Sequence, residues 1–407
     1  MSPLQVALVA AGLLVGWWLL AATRPVHRLA PGTDGTDDGG GPARLPVRLS
    51  VVIPARDEAT TLPRLLGSLA AARPGAHEVI VVDDGSTDAT AAVAAAHGAT
   101  VLTAGEPPAG WVGKPWACHR GAGVATGTHL LFLDADTWLA PDALARLVAE
   151  HAAGPGTAGP GHEPGTEPQA GPETAGRRGL LSVAPHHEAG AGYEQLSAGF
   201  QLVGAMGTGV FRPGAERRTA AAAFGPCLLT DVGDYRAAGG HAGVHDAVIE
   251  DVALARAYGS AGLPVRCRTG VDAVGYRMYP GGARQLVEGW SKNIASGVGD
   301  VGAGAPLATL GTVGWVTACL SVVASLGAGL VRWPTGDGPP LAAAGAYAVV
   351  AGQWWWLLRK LGSFRWWAWA LFAVPLAAFV VIFANSARLT FLRRRVSWRG
   401  RAISLRR

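Results

Sequence analysis

Short β-branched runs and amphipathic segments alternate through the first half of the chain. LSVVI (49–53), EVIVV (78–82) and LLFL (130–133) have the length and composition of buried strands. Between them, residues 60–72 repeat leucine with helical spacing, and a proline opens a predicted helix over 141–151. Strands that alternate with helices predict an α/β domain with a parallel sheet, in which ligands bind at the carboxyl ends of the strands.

Long uncharged stretches flank this region. Residues 3–22 carry no charge, and three more apolar stretches cover about 306–331, 341–358 and 366–387, each near the ~20 residues that a helix needs to cross hydrocarbon. Basic residues follow the first stretch instead of preceding it, so an uncleaved anchor is predicted in preference to a cleaved signal peptide. Three full C-terminal spans would place the tail on the opposite side of the membrane from the catalytic domain, although the positive charge of the tail predicts a cytoplasmic location. Either one of them is re-entrant or interfacial, or the positive-inside rule fails here.

Composition and charge support a membrane protein. Only 15% of residues are charged, against about 25% in soluble domains, and 49% are hydrophobic, which excludes disorder throughout. The net charge of +5 arises in residues 386–407, which hold eight arginines and no acid. A basic tail beside an apolar segment predicts contact with cytoplasmic lipid headgroups, and no nucleic-acid partner is expected. Four scattered cysteines favour neither a disulfide framework nor a zinc site.

These patterns divide the chain into five parts. We expect an N-terminal transmembrane anchor (1–23), a linker (24–47), a catalytic domain (48–300), a C-terminal transmembrane region (301–388) and a basic tail (389–407). Low-complexity composition predicts a disordered insertion at 152–178, and residues 283–297 are a candidate interfacial amphipathic helix.

Two acidic segments follow predicted strands. In VVDDGSTD (81–88), Asp83 and Asp84 can accept hydrogen bonds from a nucleotide base or ribose, although the segment also suits a helix N-cap. In LLFLDADTW (130–138), Asp134 and Asp136 point the same way, and two neighbouring carboxylates are costly without a cation between them. Mg²⁺ or Mn²⁺ suits such oxygens; a solvated turn is the alternative.

Two further segments carry candidate chemistry. Glu250 and Asp251 begin an apolar helical pattern, which fits either a general base or a helix start favoured by its dipole. Lys114, one of three lysines, lies in the Gly-flanked segment GWVGKPW and could neutralise a diphosphate or lie in solvent. The histidines are expected to be hydrogen-bonded structural residues; they are His186, His187, His241 and His245.

The combined order of these segments resembles the family 2 glycosyltransferases, which have the GT-A fold. VVIPARDEATTLPRLLGSL (51–69), VVDDGSTD, DAD and the later ED occur in that family's order, with Asp57 in place of the family's common Asn. GWVGKPWACHRG, FGPCLLT (224–230), YRMYPGGARQLVEGWSKNIASG (276–297) and VSWRGR (396–401) are similar to its membrane-bound diaponeurosporenoate glycosyltransferase branch.

The resemblance implies a Rossmann-like mixed α/β sheet with helices on both faces, plus transmembrane helices at both termini. It also implies roles for individual residues. The implied nucleotide-sugar site is Pro54, Arg56, Glu58, Asp83, Asp84, Lys114 and Asp134; the metal ligand is Asp136; the catalytic pair is Asp251 with Glu250; the acceptor side is Gly225, Pro226, Gln285 and Trp290. Relatives that end the site with Gln-x-x-Arg-Trp differ from Gln285–Trp290 here, which lacks the arginine.

The expected function is inverting transfer of a sugar from a donor such as UDP-glucose to a lipid, with a divalent cation. A carotenoid carboxylic acid or hydroxyl is the expected acceptor, and the enzyme is expected at the cell membrane, multi-pass, with a cytoplasmic catalytic domain. The alternatives are transfer to a hopanoid, ceramide, diacylglycerol or polyprenyl phosphate, a nucleotidyltransferase, and a non-catalytic nucleotide-binding scaffold.

Overall fold

The computed structural model describes residues 1–28, 44–154, 176–215, 222–247, 249–291, 305–335 and 339–388, with the backbone of 395–398 and 401–404. Most of the predicted linker, insertion and basic tail therefore lie outside the described residues, as do residues 292–297 of the predicted amphipathic helix. The chain forms two compact units. Unit 1 comprises Met1–Thr23, His187–Pro213 and Arg277–Arg407, and unit 2 comprises Arg24–His186 and Gly214–Tyr276.

The elements are numbered along the chain. The strands are β1 (Leu49–Ala55), β2 (Glu78–Asp83), β3 (Thr100–Thr103), β4 (His129–Leu133), β5 (Thr137–Leu139), β6 (Leu180–Ala184), β7 (His186–Glu188), β8 (Cys227–Asp231), β9 (Val265–Thr269), β10 (Val274–Tyr276), β11 (Gly362–Ser363), β12 (Arg395–Trp398) and β13 (Arg401–Ser404). The helices are α1 (Pro3–Leu19), α2 (Leu62–Ala71), α3 (Thr90–Ala96), α4 (Gly113–Val124), α5 (Ala143–Ala153), α6 (Ser197–Thr208), α7 (Val232–Ala237), α8 (Glu250–Ser260), α9 (283–291), α10 (Pro306–Arg332), α11 (Leu341–Leu358), α12 (Trp366–Ala370) and α13 (Ala373–Arg388).

Unit 2 is built on a seven-stranded mixed sheet of order β3-β2-β1-β4-β8-β6-β9. β1, β2 and β4 run parallel, as predicted, and β3, which was not predicted, pairs in parallel with β2. β8 is antiparallel to both β4 and β6. The mixed sheet implied an antiparallel strand, but CLLTD is a short apolar run with no feature that reports its direction. The expectation of a mixed α/β sheet with flanking helices is confirmed.

Strand alternation builds a core on each face of this sheet. Successive residues of one strand point to opposite faces, so Val51 and Ile53 join one core while Val52 joins the other. The first core packs against α2, α3 and α5, and the second against α4, α7 and α8. Because both faces are covered, the central strands carry near-continuous apolar runs, which is the pattern that made them recognisable.

The start of the predicted linker packs against the sheet. Residues 25 and 26 run beside β9: Pro25 bridges Thr269, and the buried Val26 donates its N–H to the Thr269 carbonyl. The guanidinium of buried Arg146 donates to the carbonyl of Val26 at 2.9 Å, so α5 also holds this segment. The predicted helix 141–151 is α5, which starts at Ala143 and continues to Ala153.

Three apolar helices pack together in unit 1. A Cβ at Gly12 or Gly16 of α1 would lie within 2.5 Å of Ala318 or Trp315, so the absence of side chains lets α1 approach α10 closely. Gln353 of α11 accepts a hydrogen bond from the Trp315 indole at 2.8 Å and donates to the Leu13 carbonyl at 2.7 Å. This buried amide therefore joins all three helices.

Two helical stretches of the described chain, Pro306–Thr335 and Leu341–Leu358, are long and apolar enough to cross a membrane; Pro3–Leu19 and Ala373–Arg388 are shorter. The predicted stretch 366–387 is not one helix, because it is divided into α12 and α13. The predicted amphipathic segment is helical as far as residue 291.

The packing of α4 on the sheet gives a matched test. A Cβ at Gly121 would lie 2.4 Å from Val52 Cγ1, whereas a Cβ at Gly123 meets nothing within 4 Å. We predict that Gly121→Ala lowers the free energy of unfolding by roughly 1–3 kcal/mol through overpacking, while Gly123→Ala leaves it unchanged or raises it. Thermal denaturation of both variants in detergent measures this difference, and equal midpoints would contradict the packing.

Candidate active site

The predicted site residues that belong to unit 2 lie at one edge of its sheet. Arg56, Asp84 and Asp134 each follow the last residue of a parallel strand, β1, β2 and β4. Pro226 precedes the antiparallel β8, and its carbonyl accepts the Asp134 N–H at 3.0 Å. Because Leu133 pairs with Cys227 in the ladder, this bond extends the β4–β8 pairing one step beyond the strands.

The loops after β1 and β2 are held together by side chains. Asp57 adopts a positive φ of 53°, which Asn and Asp tolerate better than most residues. Its carboxylate accepts from the N–H of Thr87 at 2.7 Å, and its own N–H donates to Ser86 Oγ at 3.0 Å. The Thr87 N–H lowers the pKa of Asp57 below its usual value. Ser86 and Thr87 therefore join the loops; neither caps α3, as the N-cap alternative required.

Asp84 lies between a guanidinium and a helix start. The Arg56 Nη1 is 3.9 Å from Asp84 Oδ2, and a Cβ on Gly113 would lie 2.5 Å from the same oxygen. Gly113 is the first residue of α4, so its missing side chain lets the carboxylate reach the N-terminus of that helix. Asp83 instead accepts the N–H of Ser86 at 3.0 Å and shapes the turn.

Lys114 joins three elements of the site. Its ammonium lies 2.7 Å from Asp134 Oδ1, after β4, and 2.7 Å from Glu250 Oε1, the first residue of α8. Burial opposes the charged form, but the two carboxylates outweigh it and raise the pKa of Lys114 well above its usual value. The predicted alternative of a fully solvated lysine does not describe this geometry, since 35% of the side chain is exposed and both partners are acidic.

Asp136 lies two residues beyond Asp134, in a region of excess negative charge. Burial raises the pKa of Asp136 to about 8, with Asp134 and Glu58 adding to the effect and Lys114 opposing it. Within the part of the chain that the structure describes, Asp136 forms no ion pair. Glu58 itself accepts the hydroxyl of Thr61 at 2.5 Å.

Asp251 is oriented by backbone groups. Gly225 N–H donates to its Oδ2 at 2.7 Å, and Val252 N–H donates to its Oδ1 at 2.8 Å. Burial raises the pKa of Asp251 to about 7, with Glu250 adding to the rise while Lys114 and both N–H groups lower it. Asp251 also lies in the first turn of α8, so the helix-start and functional interpretations are compatible.

Gln285 and Trp290 belong to unit 1. Gln285 accepts the N–H of Gly281 at 2.7 Å. The Trp290 ring stacks on Phe200 with centroids 4.6 Å apart, and its indole donates to Ser197 Oγ at 3.0 Å. Both residues therefore have structural contacts of their own within that unit.

His187, His241 and His245 each make polar or ring contacts within the fold. His241 is buried, its N–H donates to the Tyr235 hydroxyl at 3.0 Å, and burial lowers its pKa to about 3. His187 Nδ1 lies 2.8 Å from Gln201 Nε2. His245 contacts the loop before α4, because its carbonyl accepts the Val112 N–H and its ring lies 5.5 Å from Trp111.

Sequence reasoning missed two supporting features. No role was predicted for Gly113, although a glycine directly before the lysine was the available signal. Trp138, directly after DADT, is held between the Arg64 guanidinium, 3.2 Å from its ring centroid, and the backbone of Gly275, where a Cβ would lie 2.5 Å away. Only tertiary contacts reveal that this ring braces the turn carrying Asp134 and Asp136.

Comparisons of the sequence with known proteins find one matching family and close relatives of known name. The profile of the family described as Glycosyl transferase family 2 matches residues 50–165. The 4,4'-diaponeurosporenoate glycosyltransferases of Staphylococcus aureus strains MRSA252 and USA300 are both 33% identical to this chain over 359 residues, which cover 88% of each protein.

A solved structure shares the fold. The mannosyltransferase PcManGT from Pyrobaculum calidifontis, determined in complex with GDP-Man and Mn²⁺, matches 93% of this chain and 97% of its own, with a TM-score of 0.50. The sequence identity is 18%, so this likeness concerns the GT-A-like fold alone.

Proposed function

Because the chain belongs to the family 2 glycosyltransferases and is itself a glycosyltransferase, we propose that it transfers a sugar from a nucleotide-sugar donor to a lipid acceptor, with inversion at the anomeric carbon. The observation that carries this proposal is the ion-paired Lys114 between Asp134 and Glu250. These ion pairs place a positive charge close to the candidate metal site and the candidate base, at one edge of the sheet.

The donor nucleotide is proposed to bind along the carboxyl ends of β1 and β2. Arg56 and Asp84 offer a guanidinium and a carboxylate side by side, which suits the polar edges of a base and ribose. Pro54, Glu58 and Asp83 would complete this pocket, with Asp134 near the ribose. UDP-glucose is the proposed donor.

Lys114 is proposed to contact the donor diphosphate. Its charge is already shared by two carboxylates, which fix the ammonium at the start of α4. Helix N-termini favour anions because their first N–H groups lack intrahelical partners. Lys114 and the first turn of α4 therefore offer complementary stabilisation for phosphate oxygens.

The residues present fit a divalent cation held jointly with substrate. No group of three or more His, Cys, Asp or Glu side chains able to hold a metal occurs among the described residues. Mg²⁺, however, is commonly bound by one or two carboxylates together with substrate phosphates. Asp136, which forms no ion pair within the described chain, would hold it. A bound cation would stabilise negative charge on the leaving nucleoside diphosphate.

Asp251 is proposed as the base. Hydrogen bonds from Gly225 and Val252 fix its carboxylate, and burial, together with the negative charge of Glu250, raises the Asp251 pKa to about 7. A carboxyl group with a pKa near neutrality is ionised in a large fraction of molecules at pH 7. In that ionised state it can accept a proton from an acceptor hydroxyl. A carboxylic acid acceptor is already ionised, so Asp251 would then mainly orient it.

The acceptor is proposed to be a carotenoid or apocarotenoid carboxylic acid, on the basis of the S. aureus relatives' activity. Gly225, Pro226, Gln285 and Trp290 are the residues proposed for the acceptor side. Membrane attachment is proposed through 1–23 and 301–388, with the catalytic domain, 48–300, and the basic tail in the cytoplasm. Apolar helices and the cationic residues at their ends support this arrangement.

Product analysis tests the proposed substrates. Membranes containing the enzyme, supplied with UDP-glucose and diaponeurosporenoate, should form a glucosyl ester of inverted anomeric configuration, detected by mass spectrometry and NMR. Parallel reactions use GDP-mannose as donor, and a hopanoid, ceramide, diacylglycerol or polyprenyl phosphate as acceptor. Transfer only to one of these other lipids would reject the carotenoid acceptor, and transfer only from GDP-mannose would reject the donor.

The role of Asp251 has its own pH signature. With a hydroxyl acceptor, kcat/KM should rise with pH, roughly tenfold per unit below neutrality, and level off above about 7 as Asp251 ionises. Asp251→Asn should lower kcat by about 10²- to 10⁴-fold and abolish this rise; a carboxylic acid acceptor should lose less. Asp246→Asn, at an exposed aspartate nearby, is the control. An unchanged pH profile in Asp251→Asn would show that another group titrates.

A further inference from the structure

The C-terminal apolar stretch of unit 1 packs against α11 after that helix ends. After α11 ends at Leu358, the chain pairs Gly362 with His187 and then turns through α12 to Phe372. The Phe372 ring stacks on Tyr347 with centroids 4.5 Å apart and lies 5.5 Å from Trp354. At ~1.5 Å per helical residue, these partners lie about 6–16 Å from the C-terminal end of α11, well short of the ~30 Å hydrocarbon thickness.

The chain then returns along α13. The backbone N–H of Arg365, at the entry, donates to Gln195 Oε1 at 2.7 Å. Farther on, Phe379 of α13 contacts Phe200 with ring centroids 5.2 Å apart. Gln195 and Phe200 are only five residues apart, so one short segment holds both the entering and the returning limb.

The end of α13 is held in the same region. The Ser386 hydroxyl donates to the Ser291 carbonyl at 2.7 Å. The preceding residue, Trp290, stacks on Phe200 and donates to Ser197. The last turn of α13 therefore contacts α9, which itself packs on the segment that holds Arg365.

Cationic side chains mark this end of the helices. The Lys360 ammonium lies 3.4 Å from the Leu20 carbonyl and 3.6 Å from the Trp356 ring centroid, so α1 and α11 end at the same level. Arg359 lies over Trp355 at 4.7 Å. Paired tryptophans and basic residues are typical of the membrane–water interface, and basic residues are attracted to anionic lipid headgroups.

We propose that residues 362–388 form a re-entrant hairpin in one leaflet of the bilayer, with Phe372 at its tip. The chain then leaves α13, at Arg388, on the side where it leaves α1 and α11. The proposal rests on the membrane attachment proposed above. Acyl chains of that leaflet contact the exposed apolar side chains of α13, among them Val374, 46% exposed, and Val381, 67% exposed.

Cysteine labelling of the full-length chain tests this topology. The four native cysteines are buried, so the unmodified chain is the blank. Arg359→Cys, Thr335→Cys and Arg388→Cys each place a thiol at an exposed position. A membrane-impermeant maleimide is applied to intact cells and to inverted vesicles, and retained transfer activity shows that each variant is folded.

The hairpin predicts that Arg388→Cys and Arg359→Cys label from one side of the membrane and Thr335→Cys from the other. Labelling of Arg388→Cys from the Thr335 side would overturn the hairpin and establish a full span. Sedimentation of the same samples separates the two proposals, because a chain that stays in the supernatant would overturn membrane attachment itself.

Discussion

The site depends on one arrangement of charge, in which a single ammonium satisfies carboxylates from two elements. Lys114 is the second residue of α4, Asp134 follows β4 and Glu250 begins α8, and the two 2.7 Å ion pairs hold these three points together. Without that cation, several acids would face one another in partly dehydrated surroundings, where like charges repel strongly. Around Asp136, however, negative charge still exceeds positive charge. The proposed metal ion, which would be shared with the diphosphate, requires this excess.

Unit 1 follows a different constraint, because its helices are apolar on most faces and few polar groups are available to specify their packing. Glycines on α1 permit close approach to α10, and one buried amide, Gln353, connects three helices. Helix α13 is likewise held by few contacts. With 16 residues it is short for a span, and it contacts α6 and α9.

Much of unit 2 could be predicted from sequence because its physical signals are local. Apolar runs identified β1, β2 and β4, and the acids at the ends of β2 and β4 indicated the candidate ligand-binding edge. The direction of β8 and the brace around Trp138 could not be predicted, because both depend on residues far apart in the sequence. The structure adds contacts among the predicted site residues without testing their roles, so those roles remain proposals.

The apolar pattern of 366–387 was less informative, since hydropathy reports how apolar a segment is and not whether it turns back. The two-helix division at 371–372 and the stacking of Phe372 on α11 are tertiary facts. They address the conflict between three C-terminal spans and a basic tail on the cytoplasmic side, which the sequence left open.

Electron paramagnetic resonance of Mn²⁺ tests the central claim most directly. Wild-type enzyme titrated with Mn²⁺ in the presence of UDP should bind the ion more tightly than in its absence, because carboxylate and diphosphate would share it. Asp136→Asn should lose this UDP-dependent binding, while Asp246→Asn keeps it. Equal Mn²⁺ binding by wild type and Asp136→Asn would contradict the assignment of the metal to this edge of the sheet.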